Sequence, residues 1–189
     1  YDSKTKLDDS YKRVLRGSDI NKFILNWKSG VWIKYGDNLA APRYSANFEN
    51  DEKIVVRQTS DTLIATLDTE QFICLKNLHV ITSLGSSDLC LKYVLSLINS
   101  KLLDFYHYLL NPEKGEALAE IKKENLEKLP IKNISKKEQQ PFIDKVDQIL
   151  SLKKDNPAAD TSALEREIDF MVYALYGLSE EEIGIVENS

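Results

Sequence analysis

The chain has little of what most catalytic sites are built from. Among its 189 residues there are two histidines and two cysteines. His79 and His107 stand apart, outside any HExxH pattern, and each is read as a core or rim residue. Cys74 and Cys90 lack CxxC spacing, which speaks against a zinc site or a disulfide framework and fits free thiols in a reducing, cytoplasmic setting. The seven glycines form neither a phosphate-cradling loop nor a GxSxG elbow. Long hydrophobic runs are missing too. The most apolar stretch, Tyr93 to Leu110, is interrupted by Asn99, Ser100, Lys101, Asp104 and His107 and falls short of the run of roughly 18 apolar residues that a membrane span needs. No membrane partner is therefore expected. Neither an internal repeat nor a low-complexity segment is present. The chain begins at Tyr1 rather than Met, which suggests a piece of a longer polypeptide.

What is present is an ordinary globular composition, 42% hydrophobic, with an uneven charge. The net charge of −5 conceals 11 Lys+Arg against 8 Asp+Glu in residues 1–60, leaving 14 against 22 in residues 61–189. Four of the five arginines, Arg13, Arg16, Arg43 and Arg57, lie in that basic first third.

Periodicity divides the chain into a β-rich first half and a helical second half. Val14–Ile20 reads as a strand and turn, Phe23–Leu25 and Val31–Tyr35 as strands about the turn Lys28-Ser29-Gly30, and Ile54–Thr59 with Leu63–Leu67 as a hairpin. Phe72–Leu75 and Leu78–Ile81 add two more strands. Tyr93–Leu110 is expected to be one buried helix around which the rest packs, with N-cap candidates at Ser86, Ser87 and Asp88 and a stop at Asn111-Pro112. Within it Asn99-Ser100-Lys101 is either a solvated window or a point where small Ser100 admits a neighbour. Ala117–Leu126 reads as a short charged helix or turn. Ser135 with Glu138 forms a capping-box pattern opening an amphipathic helix to about Lys154; Thr161 or Ser162 opens a second, which Gly177 stops, and a last short helix begins at Leu178. The fold class expected is α+β: a β-rich half with a mixed or antiparallel sheet, a central buried helix and a C-terminal helical hairpin. The divisions are 1–13 as a flexible lead-in, 14–134 as a recognition unit and 135–189 as the helical region.

Two patterns could carry chemistry. Glu120-Ile121-Lys122 spells the E-x-K of a metal-dependent nuclease, but in a helix-prone run rather than on a strand beside another acid. The other is the interleaving of aromatic and basic residues in the β half, at Trp27-Lys28, Trp32-Ile33-Lys34-Tyr35, Arg43-Tyr44, Arg57-Gln58-Thr59 and Lys76-Asn77. Basic groups neutralise phosphates, while Arg, Gln, Asn and Thr can read base edges. Half-buried strands with polar outer faces would show the same pattern.

Arg16-Gly17-Ser18-Asp19-Ile20, then Ile54-Val55-Val56-Arg57-Gln58-Thr59 running into Leu63-Ile64-Ala65-Thr66, then Leu97-Ile98-Asn99-Ser100-Lys101-Leu102-Leu103, and finally Leu129-Pro130-Ile131 stand in an order and spacing that resemble the TaqI-like C-terminal specificity domain, over roughly residues 14–150. The tail Ile168–Ser179 resembles the segment that often ends restriction-modification polypeptides. The resemblance implies a target recognition domain that clasps double-stranded DNA against an adenine-N6 methyltransferase domain of the same polypeptide, which flips out the target base and is often fused to an endonuclease. The chain has no glycine-rich S-adenosylmethionine loop, and Asn111-Pro112 is not followed by Pro-aromatic, so no catalysis and no cofactor are expected in it. S-adenosylmethionine, with Mg²⁺ as a further expectation, would belong to the parent enzyme.

Base-reading residues in that family vary with the target, so the candidates come from the interleaved pattern: Arg43, Arg57, Gln58 and Thr59 for groove contacts, and Arg16, Lys34, Lys76 and Asn77 for phosphates or the groove edge. Arg16 and Asp19 could equally be a structural pair holding the first turn. The rival reading is a protein interaction module that docks a partner on the apolar face of the C-terminal helical hairpin.

Overall fold

The structure, a computed structural model, describes residues 2–37, 39, 42, 47–83, 85, 87–111, 115 and 119–189. Its strands are β1 (Asp2–Ser3), β2 (Tyr11–Leu15), β3 (Ile20–Asn21), β4 (Ile24–Leu25), β5 (Trp32–Lys34), β6 (Lys53–Arg57), β7 (Ala65–Asp68), β8 (Ile73–Cys74) and β9 (Leu78–Ile81). The helices are α1 (Leu91–Ile98), α2 (Lys101–Leu110), α3 (Lys123–Leu126), α4 (Lys136–Asp155), α5 (Ser162–Tyr176) and α6 (Glu180–Glu187). The fold is α+β, and among the described residues the strands form three sheets, ordered β1-β5-β2-β8, β3-β4 and β7-β6-β9. All their pairings are antiparallel except β2 with β8.

Strand β6 is the pivot. Its residues Ile54 and Val56 join the apolar cluster shared with α1, α4 and α5, while Val55 points into a second cluster with Val14, Leu15, Ile33, Phe72 and Ile73. Burial on both faces explains why Ile54-Val55-Val56 is a continuous apolar run instead of an alternating one. At its start Lys53 lies opposite Asp68 of β7, and the two form an ion pair of 2.6 Å with both side chains fully buried. Asp68 also accepts from the backbone N–H groups of Glu70 (2.7 Å) and Phe72 (3.0 Å), and Lys53 donates to the Phe48 carbonyl (3.2 Å), so the buried charges are met by hydrogen bonds as well as by each other.

The β6–β7 hairpin has the expected antiparallel pairing, although β7 begins at Ala65 rather than Leu63. Other expectations need correction. Residues 23–25 do not pair across Lys28-Ser29-Gly30 with β5. β4 instead folds back on β3 about Lys22-Phe23, with Phe23 at φ 59 and buried, and β5 pairs with β1 and β2. The lead-in contributes β1 and the first three residues of β2 to the sheet with β5. The single central helix is in fact two: Ser100 leaves the helical basin (φ −72, ψ 152) and caps α2 by accepting from the Leu103 N–H. Of the polar triplet, Asn99 and Ser100 are buried and only Lys101 is exposed, so this is a packing point and not a solvated window. Helix α1 is capped at Cys90 without a side-chain cap bond, instead of at Ser87 or Asp88; Ser86 is outside the described residues. The Cys90 N–H is met instead by Oε1 of buried Gln139 in α4 (2.9 Å). Of the short helix or turn expected over Ala117–Leu126, α3 forms the last part and Glu120 is in a β-bridge with Thr59; Ala117 and Leu118 lie outside the described residues.

The C-terminal helices follow their local signals. Ser135 and Glu138 form a reciprocal capping box at α4, Ser179 and Glu182 another at α6, and Gly177 ends α5 in the left-handed region at φ 73. Phe142, Val146 and Ile149 of α4 and Ile168 and Val172 of α5 are buried in the same cluster as α1, so the hairpin's apolar face is covered chiefly by the helices α1 and α2. Among the described residues no helix is long and apolar enough to cross a membrane.

Candidate nucleic-acid interface

Because β2 and β8 run parallel, their C-terminal ends lie at the same end of the sheet, with Leu15 opposite Cys74. Strand β6 finishes there too: the Arg57 Nε donates to the Gly17 carbonyl (3.0 Å), and the Gln58 N–H donates to the Asn77 carbonyl (3.0 Å). The turn after β2, the end of β6 and the turn between β8 and β9 therefore converge, bringing Arg16, Arg57, Gln58, Thr59, Lys76 and Asn77 together from three separate stretches of sequence. Lys76 and Thr59 are exposed; Arg16, Gln58 and Asn77 are half-buried.

Of the other two candidates, Lys34 pairs with Tyr11 at the opposite end of β2, on the order of 15 Å away at about 3.3 Å per strand residue. It does not join the cluster. Arg43 lies outside the described residues.

Inside the cluster the side chains divide by what they already hold. Arg57 donates from Nε to Gly17 and from Nη2 to the Ile20 carbonyl and to Asn21 Oδ1 (3.1 Å). Its partial burial lowers the guanidinium pKa from the usual arginine value. Arg16 and Asp19 are not joined by an ion pair of their side chains. The buried Asp19 carboxylate accepts instead from the backbone N–H groups of Arg16 (2.9 Å), Lys28 and Ser29 (both 3.1 Å), holding the loop that leads to β5 against the turn. Two buried polar atoms of this cluster, Arg16 Nε and Asn77 Oδ1, have no hydrogen-bond partner among the described residues. Arg13 is committed elsewhere, stacked over Phe72 with its guanidinium 4.3 Å from the ring centre and paired with Glu70 at 2.8 Å.

A family model for the TaqI-like C-terminal specificity domain matches residues 12–131. The chain belongs to this family. Among solved structures, the specificity domain is similar to the Type IIL restriction-modification enzyme MmeI in complex with DNA, with a TM-score of 0.64 at 11% identity, over 94% of this chain and 30% of that one. At that identity the likeness is one of fold. Its coverage extends it through most of the C-terminal helices, beyond the residues the family model matches. The specificity domain spans less than a third of the MmeI chain. No curated protein sequence matches it.

All six converging residues lie within the matched stretch. So does a segment of the specificity domain that the sequence marks only by the E-x-K pattern and not as part of a DNA face. The Ile121 N–H donates to the Gln58 carbonyl (2.7 Å), and Thr59 is bridged to Glu120, which places Lys122 and Lys123 next to the cluster. The Lys-Lys dipeptide was the visible signal, but its proximity to Gln58 depends on a pairing between segments 61 residues apart. Glu120 is thus on strand-like backbone after all. Among the described residues, however, no group of three or more potential metal ligands accompanies it. His79 donates from Nε2 to the Ile121 carbonyl (2.7 Å), tying β9 to the same segment.

Proposed function

We propose that this specificity domain recognises double-stranded DNA in a sequence-dependent way for a restriction-modification enzyme and supplies no catalytic group of its own. The observation that carries the reading is the convergence of Arg16, Gln58, Thr59, Lys76 and Asn77 at one end of two adjoining sheets. Cations and amide or hydroxyl groups are there combined as duplex recognition requires: charge to hold phosphates, and donors and acceptors to distinguish base edges. The family and the DNA-bound restriction-modification enzyme of similar fold support it. In the same reading the parent protein is an adenine-N6 methyltransferase, with or without a fused endonuclease, working in the cytoplasm. S-adenosylmethionine and Mg²⁺ are bound by that parent outside this domain, and the methyltransferase domain of the same polypeptide is the domain's neighbour on DNA.

The test is the dissociation constant for a random-sequence duplex between about 50 and 200 mM salt, for the wild-type chain and for Arg16→Ala/Lys76→Ala. Two phosphate contacts give a log–log slope about 2 units steeper in the wild type than in the double variant. Equal slopes would remove these residues from the interface, and no binding at low salt would sink the reading.

A further inference from the structure

Arg57 is one of the four residues that sequence patterning marks for groove contacts, yet its donors are turned inward. Nε and Nη2 engage the carbonyls of Gly17 and Ile20 and the side chain of Asn21, three acceptors along one short turn. A Cβ at Gly17 would meet Arg57 Cγ at 3.4 Å and Asn77 Nδ2 at 3.6 Å, ordinary van der Waals contact, so the turn packs against both side chains. From the other side the same turn is held by the Asp19 carboxylate, through the N–H groups of Arg16, Lys28 and Ser29. The turn is therefore fastened both to the end of β6 and to the loop before β5, while Ser18 and Asn21 remain exposed on it and Arg16 half-exposed.

We propose that Arg57 is a positioning residue that does not itself touch DNA and that holds the turn 16–21, on which Arg16 meets a phosphate and the exposed Asn21, outside the family motif, reads the DNA. The inference rests on the DNA reading above and deepens it. A planar guanidinium can serve several acceptors in fixed directions at once, whereas a lysine ammonium is a single point charge on a flexible stem. Arg57→Lys therefore keeps the charge and loses the geometry. Base readout depends on geometry and phosphate attraction on charge, so the two should separate in this variant.

The experiment selects bound sequences from a duplex pool with a randomised core, and in parallel measures the salt dependence of binding to a random duplex. Wild type, Arg57→Lys and the milder Asn21→Ala are compared, each first checked for a cooperative thermal transition. For Arg57→Lys the expected result is a wild-type salt slope and random-duplex affinity within about twofold, with the preference for the selected sequence reduced about tenfold or more. Asn21→Ala, which removes one of the acceptors and one contacting group, should reduce the preference without changing the slope. If the wild type enriches a sequence and Arg57→Lys enriches it equally, the positioning role is overturned while the DNA reading stands. The role is likewise overturned if Arg57→Lys keeps the preference and changes only the slope. If the wild-type chain binds no duplex at low salt, both fall together.

Discussion

Asn99 faces the backbone of Ala65 with both ends of its amide: Nδ2 donates to the Ala65 carbonyl and Oδ1 accepts from the Ala65 N–H, each at 3.0 Å. Ala65 is a residue of β7 whose polar groups point away from β6, since the Arg57 N–H bonds the Ile64 carbonyl next to it, and its carbonyl also accepts from the Phe23 N–H (2.9 Å). The side chain thus stands where another strand would, and the break between α1 and α2 is the place from which it reaches. Asp104 does similar work one turn later, accepting from the Leu63 N–H at 2.6 Å. Lys22 completes the junction by donating to the Asn99 carbonyl at the end of α1 (3.0 Å).

Asn99→Leu leaves the Ala65 N–H buried without an acceptor. A loss of about 2–3 kcal/mol of unfolding free energy is expected from urea denaturation, with the transition still cooperative. A loss below about 0.5 kcal/mol would mean that the amide contributes little to holding β7.

The buried Lys53–Asp68 pair should show the asymmetry of paired charges. Lys53→Met alone strands a carboxylate and is expected to cost about 3–5 kcal/mol. Lys53→Met/Asp68→Asn restores a neutral pair and keeps an acceptor for one of the two N–H groups, those of Glu70 and Phe72, that bond the separate carboxylate oxygens. Its cost should be smaller than that of the single variant. A double variant that loses the full sum of its two singles would show that the charges are not coupled.

Asp169 gives a pH dependence of known sign. Burial raises its pKa above the usual aspartate value, opposed by the bond it accepts from the Lys101 N–H (2.8 Å) and by the charges of Lys101 and Lys22. With the folded pKa raised, the folded state holds the proton more tightly. The stability this lends is complete below the unfolded value near 3.8 and is lost as pH rises through the folded value. Asp169→Asn keeps the acceptor and removes the titration. The stability difference between variant and wild type should therefore move in the variant's favour as pH rises from about 4 into the neutral range. A difference that stays flat across that range would contradict the assignment.

Lys34 tests the location of the interface. It sits at the far end of β2 from the converging turns, so Lys34→Ala should leave the salt slope of duplex binding unchanged, whereas Lys76→Ala should flatten it by about 1 unit. The reverse outcome would move the DNA face to the other end of the sheet.

The parts of this fold that could be read in advance are those whose partners lie close in sequence. Ser135 and Ser179 find their capping glutamates three residues on, Gly177 needs only its own freedom at positive φ, and the β6–β7 hairpin closes over a short connection. The four ordered motifs marked the family because their spacing is a property of the chain itself, and the family model matches over the same region. The division of Tyr93–Leu110 was not legible: apolar periodicity runs through the Asn99-Ser100 step, and the break at Ser100 goes with Asn99 hydrogen-bonding Ala65, 34 residues away. Residues 23–25 went to the wrong neighbour for a related reason, since β-propensity marks a strand without naming its partner.

The same division holds at the candidate site. The inventory of side chains that DNA could engage, and the uneven charge that favours the β half, follow from residue type and composition, which need no fold. Which of them meet depends on long-range pairing of the backbone. Arg57, Gly17 and Asn77 come from positions up to 60 residues apart, and whether a guanidinium faces outward or braces a turn depends on which carbonyls the folded backbone brings within its reach.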